Sequence, residues 1–259
     1  MGVLNVTPDS FFDGGKYSRR EDAISHALLM TEDGADIIDV GGESSRPFSA
    51  PVSTDEELGR VIPVIEGIRA GSNVPLSIDT CKARVAREAC RAGADMVNDI
   101  SGLRHDPDMA ETVRDLDSHL VVMHMKGTPG DMQNAPYYED VIAEISGFFD
   151  ERIRFAKDHG IKEEKLVLDP GIGFGKRVED NLRIIKNLDA FRRFGRPLLI
   201  GTSMKGFIGK VTWSTLRGRV EGTLATVAIS VWNGANIVRV HDVKKARKVV
   251  SLVNAIKNA

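Results

Sequence analysis

The stretch Arg91-Ala92-Gly93-Ala94-Asp95 leads directly into the strand-like segment 96–100, and this pattern decides the fold. Near-copies occur at Asp33-Gly34-Ala35-Asp36 and at Asn233-Gly234-Ala235-Asn236, each after an amphipathic stretch and before an apolar run. Glycine at such a position is typical of the left-handed residue that follows the last turn of a helix. The repeat therefore predicts a chain in which helices and strands alternate through one kind of connector.

Eight short segments have the nearly continuous apolar composition of strands that are covered on both faces. They are residues 2–6, 36–40, 75–78, 96–100, 120–125, 166–168, 197–201 and 236–240. Helices are predicted at 20–33, 54–68, 82–92, 138–159, 179–194, 222–233 and 243–258, with Ser53 or Thr54 as the N-cap of the second. The alternation favours an α/β fold, a single (β/α)8 TIM barrel domain over residues 1–259, because this fold needs about 250 residues. A doubly wound open sheet is the alternative.

The composition argues against several classes of protein. The chain has 35 Lys and Arg against 37 Asp and Glu, a net charge of -2, which argues against a dedicated nucleic-acid-binding protein. Its two cysteines, Cys81 and Cys90, cannot build a disulfide framework or a zinc site by themselves, and they favour a reducing compartment. The sequence shows no leader and no long apolar run, so neither secretion nor a membrane span is expected. Because residues 2–4 already resemble a strand, a short N-terminal piece is expected to be missing.

Polar residues stand at or just after the carboxyl end of every predicted strand. In strand order they are Asn5, Asp39, Asp79, Asn98 with Asp99, His124, Asp169, Ser203 with Lys205, and Arg239 with His241. One such residue could make a structural hydrogen bond, because a buried polar group is costly unless it is paired. Eight strand ends of this kind favour an active site, since they meet at the one rim where the chemistry of this fold is located.

The cationic residues predict an anion site at the ends of strands seven and eight. Arg239 and His241 are two residues apart on a strand and therefore face the same side. Lys205 follows strand seven, and this corner of the barrel commonly binds phosphate. The alternative is that Arg239 forms a structural ion pair with Asp242 or with another acid at the rim.

The acidic residues predict which ligand group binds in the rest of the pocket. Asp79 and Asp169 are expected to face the same cavity as unpaired carboxylates, which suit a heterocycle that carries amino and N–H groups. The long loops at residues 7–15 and 41–48 are expected to act as lids that exclude water, with simple packing of their aromatic residues on the rim as the alternative. His124 is expected to be a core histidine bonded to backbone.

Eight motifs occur in order along nearly the whole chain. The first are Leu4-Asn5-Val6-Thr7-Pro8-Asp9-Ser10-Phe11 with Asp13-Gly14-Gly15, Asp39-Val40-Gly41-Gly42-Glu43-Ser44-Ser45-Arg46-Pro47, Ser77-Ile78-Asp79-Thr80 and Val97-Asn98-Asp99-Ile100-Ser101-Gly102. The others are Met123-His124-Met125-Lys126-Gly127, Leu168-Asp169-Pro170-Gly171-Ile172-Gly173-Phe174-Gly175-Lys176, Ser203-Met204-Lys205 and Arg239-Val240-His241-Asp242. Together these motifs resemble those of the dihydropteroate synthase family.

The resemblance implies a pterin-binding transferase of folate biosynthesis. Such an enzyme condenses 6-hydroxymethyl-7,8-dihydropterin diphosphate with 4-aminobenzoate to give 7,8-dihydropteroate and diphosphate. It also implies Mg2+ as cofactor, a cytoplasmic homodimer, a target of sulfonamides, and neither nucleic acid nor membrane as partner.

The resemblance also implies roles for individual residues. The implied catalytic residues are Asp79, Asp169, Lys205, Arg239 and His241, and the implied Mg2+ ligand is Asn5. The implied substrate-binding residues are Asp39, Ser45, Arg46, Pro47, Asn98, Met123, Phe174 and Ser203. Asp79, Asn98, Asp169 and Lys205 resemble the pterin set, Asn5, Arg239 and His241 the diphosphate set, and residues 45–47 with Phe174, Ser203 and Lys205 the surroundings of the aminobenzoate.

Four positions depart from the family pattern and bear on inhibitor sensitivity. The family usually has Thr at Ser45, Gly at Phe48, Arg at Met204 and a polar residue at Gly206. Two other functions remain open at this point. One is a pterin-dependent methyltransferase, which has no use for a diphosphate site, and the other is a non-catalytic pterin carrier, which needs no water-excluding loops.

Overall fold

The strands form a closed parallel barrel in the computed structural model, which describes residues 1–7, 16–44 and 50–259. Within these ranges the strands are β1 Gly2–Asn5, β2 Ile38–Gly41, β3 Leu76–Asp79, β4 Met96–Asp99, β5 His119–Met123, β6 Leu166–Asp169, β7 Leu199–Ile200 and β8 Ile237–Val238. Strands β1 to β6 form one sheet in which sequence neighbours pair in parallel, and β7 pairs in parallel with β8. Parallel bridges between Leu168 and Leu198 and between Gly2 and Val240 join the two groups. The ring is thus complete, which confirms the (β/α)8 barrel over the open sheet.

At least one helix follows each strand. Those of the described residues are α1 Lys16–Glu32, α2 Thr54–Gly71, α3 Ala83–Arg91, α4 Met109–Leu116, α5 Val141–Asp158, α6 Val178–Lys186, α7 Gly206–Thr212, α8 Val220–Trp232 and α9 Val243–Lys257. The sequence did not predict α4 or α7, which have 8 and 7 residues and are too short for a clear helical period. The helix predicted at 179–194 is α6 followed by the separate 3-10 helix Leu188–Phe194. Ser53 is the N-cap of α2 and accepts a hydrogen bond from Glu56 N.

The repeated connector has the same geometry at all three places. Gly34, Gly93 and Gly234 have φ values of +96°, +120° and +104°, in the left-handed region that favours glycine. The alanine after each glycine donates its backbone N–H to the carbonyl oxygen five residues earlier, at 2.9 Å in each case. The connector therefore satisfies a carbonyl of the last helical turn and directs the chain into the next strand.

The interior of the barrel is apolar near its floor and polar near its carboxyl rim. Met96, Val121, Val167 and Leu199 pack together inside the barrel, with Met1. Two residues farther along β4 and β6, and therefore on the same inward side of each strand, stand Asn98 and Asp169. Both are buried. The barrel interior thus presents polar groups directly below the carboxyl rim.

None of the described helices between residues 16 and 257 combines the length and the apolar character that a membrane span requires.

Candidate active site

A cavity of about 690 Å³ opens at the carboxyl ends of the strands. Its lining includes Asn5 at the end of β1, Asp79 at the end of β3, Phe174 after β6, and Lys205, Arg239 and His241 around β7 and β8. Asn98, Asp169 and Asp39 are buried in the barrel below this lining. The structure therefore brings together residues that are up to 236 positions apart, in the arrangement expected from the strand ends.

Arg239 lies between two carboxylates. Its Nε donates to Asp39 Oδ2 at 2.6 Å, and its Nη2 donates to Asp79 Oδ2 at 2.7 Å. The buried Asn98 donates its amide to the same Asp39 oxygen at 3.2 Å. The expectation that Asp79 is unpaired is therefore wrong, and Arg239 pairs with acids of the rim, which was the alternative. Asp242 instead caps α9 and pairs with Lys245.

Burial raises the pKa of both Asp169 and Asp79. It raises the pKa of Asp169 to about 6, against the opposing effect of the Gly171 N–H, which donates to Asp169 Oδ1 at 2.7 Å. Burial also raises the pKa of Asp79, although Arg239 opposes that shift. The acidic half of the site is thus held in a poorly solvated environment, where its charges act strongly.

Lys205 lines the cavity, and its ammonium group lies over an aromatic ring. Its Nζ lies 4.1 Å from the centre of the Phe174 ring, a cation–π contact. Burial lowers the pKa of Lys205 to about 8, with Arg239 acting in the same direction and Asp169 opposing it. Met204, the residue before it, has a φ of +59° and donates its N–H to Thr223 Oγ1, which fixes the turn that presents Lys205.

Ser203 and His241 meet across β7 and β8. Ser203 Oγ and His241 Nδ1 are 2.9 Å apart, and His241 N donates to the same oxygen at 3.3 Å. These contacts hold the imidazole at the rim of the cavity, beside Arg239.

A glycine-rich loop after β6 packs against the end of β5. At Gly171 and Gly175, with φ of +69° and +63°, an added Cβ would lie 2.0 Å from His124 O and 2.1 Å from Lys126 O. Only glycine permits this close approach. Met123, predicted to bind substrate, packs in an apolar cluster with Met125, Met132 and Phe174, and the last two of these line the cavity.

One carboxylate anchors the base of the loop after β2. Glu43 Oε1 accepts from Val52 N at 3.1 Å, and Glu43 Oε2 accepts from Lys82 Nζ at 2.5 Å. Lys82 also donates to Glu57 Oε2 at 2.6 Å, and Glu57 is fully buried. The chain is thus fastened on both sides of residues 45–49. The predicted Ser45, Arg46 and Pro47, the departure at Phe48, and residues 8–15 of the first loop lie outside the described residues.

Asn5 and Asp79 point their oxygens at the same part of the rim. A Cβ added to Gly41 would lie 3.8 Å from Asp79 Oδ2 and 3.9 Å from Asn5 Oδ1. In the described part of the chain, no cluster of three or more His, Cys, Asp or Glu side chains could hold a metal ion alone. An amide and a carboxylate oxygen are nevertheless hard ligands of the kind Mg2+ takes when a substrate phosphate supplies the others.

Sequence reasoning missed three cations of the cavity lining, namely Lys176, Lys210 and Arg219. Lys176 ends the motif that begins at Leu168, so its position after an acid-bearing strand was the available signal. Lys210 and Arg219 lie on helical segments, where a basic residue usually indicates only a solvated surface. His124 is buried in the core, as expected, and its ring Nδ1 lies 3.0 Å from Lys176 Nζ, a partner that the sequence did not indicate.

The family relationship follows from comparison with known sequences. Residues 1–241 match the sequence model of the family described as pterin binding enzyme. The chain belongs to that family. Among its members it is 46% identical over 259 residues to the dihydropteroate synthase of Escherichia coli (strain K12), covering 100% of this chain and 92% of the relative. It is 45% identical over 258 residues to that of Bacillus subtilis (strain 168), covering 100% of this chain and 88% of the relative.

Solved structures of family members have the same fold. The Yersinia pestis dihydropteroate synthase in a sulfonamide drug complex superimposes with a TM-score of 0.95 at 42% identity, covering 100% of this chain and 94% of that one. The Xanthomonas albilineans enzyme in complex with 7,8-dihydropteroate has a TM-score of 0.91 at 41% identity, with 100% and 93% coverage.

Proposed function

We propose that this chain uses the rim cavity to condense 6-hydroxymethyl-7,8-dihydropterin diphosphate with 4-aminobenzoate, which yields 7,8-dihydropteroate and diphosphate. The observation that carries the proposal is the full-length match, at 46% identity, to a dihydropteroate synthase. The bipolar cavity supports it, because acids and cations lie on different parts of one lining.

The acidic part of the cavity suits the pterin. Asp169 and Asp79, with the Asn98 amide, offer acceptors and a donor to a ring that carries amino, N–H and carbonyl groups. Cleavage of the C–O bond next to that ring leaves a delocalised positive charge. Carboxylates in a poorly solvated site stabilise such a charge more strongly than water does.

The cationic part suits the diphosphate. Arg239 and His241 line the cavity together and would take up negative charge as the diphosphate departs. Mg2+, when bound, would supply further charge neutralisation at the phosphate oxygens. We assign Asn5 as its protein ligand, a role supported by the amide oxygen beside Asp79.

Phe174, Lys205 and Ser203 form the side of the cavity proposed for 4-aminobenzoate. An aniline-type amine is weakly basic and keeps its lone pair at neutral pH, so it needs positioning more than a general base. Ser45, Arg46 and Pro47 stay predictions for the same substrate. The sulfonamide drug complex of the Yersinia pestis relative supports the proposal that this chain also binds sulfonamides.

We also propose that the chain forms a cytoplasmic homodimer. Exposed apolar side chains support association, since Ile229 and Trp232 of α8 and Leu252 and Ile256 of α9 are each about half exposed. Sedimentation velocity should show a dimer that a Trp232→Glu variant dissociates, and a monomeric wild type at micromolar concentration would refute the homodimer. The compartment rests on the family resemblance, and cell fractionation tests it.

The reaction is tested with purified protein and three components. Diphosphate release should require the pterin diphosphate, 4-aminobenzoate and Mg2+ together, and mass spectrometry should detect dihydropteroate. Lys205→Ala should lose turnover while it remains folded by circular dichroism. Lys186→Ala, an exposed lysine at the end of α6, is the matched control. Pterin binding without turnover would refute the proposal, and so would methyl transfer from methyltetrahydrofolate to a corrinoid protein.

A further inference from the structure

Lys176 is a buried cation in the wall of the cavity to which the reaction above gives no role. The residue is 4% exposed, and its Nζ makes three hydrogen bonds to neutral acceptors. They are His124 Nδ1 at 3.0 Å, His124 O at 3.2 Å and Phe174 O at 3.0 Å. An ammonium group has three N–H donors, so these contacts use all of them.

The three acceptors belong to two different loops. His124 follows β5, whereas Phe174 belongs to the glycine-rich loop after β6. Lys176 therefore connects the two loops from inside the barrel wall, at the place where Gly171 brings their backbones into contact. Two further hydrogen bonds reach other carbonyls of the loop, since Gln133 Nε2 donates to Gly173 O and the buried Tyr138 hydroxyl donates to Gly175 O.

The bond to the imidazole fixes the state of His124. Burial, with the neighbouring Lys176 charge, lowers the pKa of His124 to about 2, so the ring is neutral. Because Nδ1 accepts from Lys176, the ring proton is on Nε2. Burial lowers the pKa of Lys176 to about 7, with the Lys205 charge acting in the same direction and the Asp169 charge opposing it.

Lys176 donates to the backbone carbonyl of Phe174, and the ring of the same Phe174 contacts Lys205 Nζ. The ring lies 4.1 Å below Lys205 Nζ, and a Cβ added to Gly173 would lie 3.2 Å from Lys205 Cδ. A shift of this loop would therefore move both the ring and the lysine.

We propose that Lys176 is a positioning residue, which holds the loop after β6 against the end of β5 and so fixes the Phe174 ring beneath Lys205. The inference rests on the proposed function, because it places Phe174 and Lys205 at the aminobenzoate side. It assigns Lys176 no contact with substrate.

The experiment compares Lys176→Met with Lys186→Met, the same substitution at an exposed lysine nearby. Lys176→Met should raise KM for 4-aminobenzoate about tenfold, because small misplacements of a positioning group are costly, and should change KM for the pterin diphosphate less than about twofold. Lys186→Met should change neither constant. Equal changes in both constants for Lys176→Met, or no change, would overturn the proposal.

A second readout does not depend on turnover. In protein labelled with 13C-lysine, the Phe174 ring should shift the Lys205 Hε resonance upfield, and Lys176→Met should lose most of that shift. An unmoved resonance would overturn the proposal. If the wild type shows no turnover, the proposed function fails, and this resonance alone decides whether Lys176 positions Phe174. If Lys176→Met does not fold, His124→Leu, which removes one of the three acceptors, should move the resonance in the same direction.

Discussion

Replacing Asp39 by Asn is expected to destabilise the fold through Arg239. Asp39 is fully buried, and its Oδ2 accepts from Arg239 Nε at 2.6 Å and from Asn98 Nδ2 at 3.2 Å. Removing one partner of a buried ion pair costs about 3–5 kcal/mol, because the other charge stays in a poor solvent. Arg239 keeps its bond to Asp79 and its side chain is 22% exposed, so we expect the lower end, about 3 kcal/mol.

Urea denaturation of the wild type and of Asp39→Asn measures this difference. A loss of about 3 kcal/mol corresponds to a fall in Tm of about 6 to 12 °C for a chain of this size. The matched control is Asp36→Asn, which breaks the exposed pair between Asp36 and Arg247 at 3.0 Å. Exposed pairs contribute about 0–1 kcal/mol, so the control should unfold almost like the wild type. If Asp39→Asn lost no more stability than Asp36→Asn, the argument from burial would be wrong.

The pKa shifts of Asp169 and Lys205 predict a bell-shaped pH profile. The value of kcat/KM should rise as Asp169 loses its proton near pH 6 and fall as Lys205 loses its proton near pH 8, since the reaction needs both charges; a flat profile across this range would contradict the assignment. Gly171→Ala should cost more than about 3 kcal/mol, because the new Cβ collides with His124 O, whereas Gly195→Ala, at a φ of +64° with open space around it, should cost about 1–2 kcal/mol. Equal losses in urea denaturation would show that the left-handed backbone alone, and not the close packing of the loop, decides the cost.

The sequence predicted the barrel and the place of its site because both follow from local patterns. The glycine connectors before β2, β4 and β8 mark where strands begin, and polar residues such as Asp79 and Asp169 mark where strands end. In a closed barrel every such end lies at the same rim, so a one-dimensional pattern locates a three-dimensional site.

The side-chain partners within the site were not predictable in the same way. Arg239 and Asp39 are 200 residues apart, and which rim acid the guanidinium selects depends on the register of strands far apart in the chain. The position of Lys176 after an acid-bearing strand could have indicated the cavity, but it did not indicate that the ammonium group contacts His124. The short helices α4 and α7 were not predicted for a different reason, since two turns contain too few residues to show a helical period of apolar residues.

The Glu43 carboxylate, which joins the chain on both sides of residues 45–49 to Lys82, has a consequence for how this protein can change. The anchor is made by Glu43, Val52 and Lys82, which lie outside residues 45–49. Substitutions at residues 45–47, the positions predicted to bind substrate, leave these contacts in place. We therefore expect such substitutions to change ligand selection with little loss of folding stability.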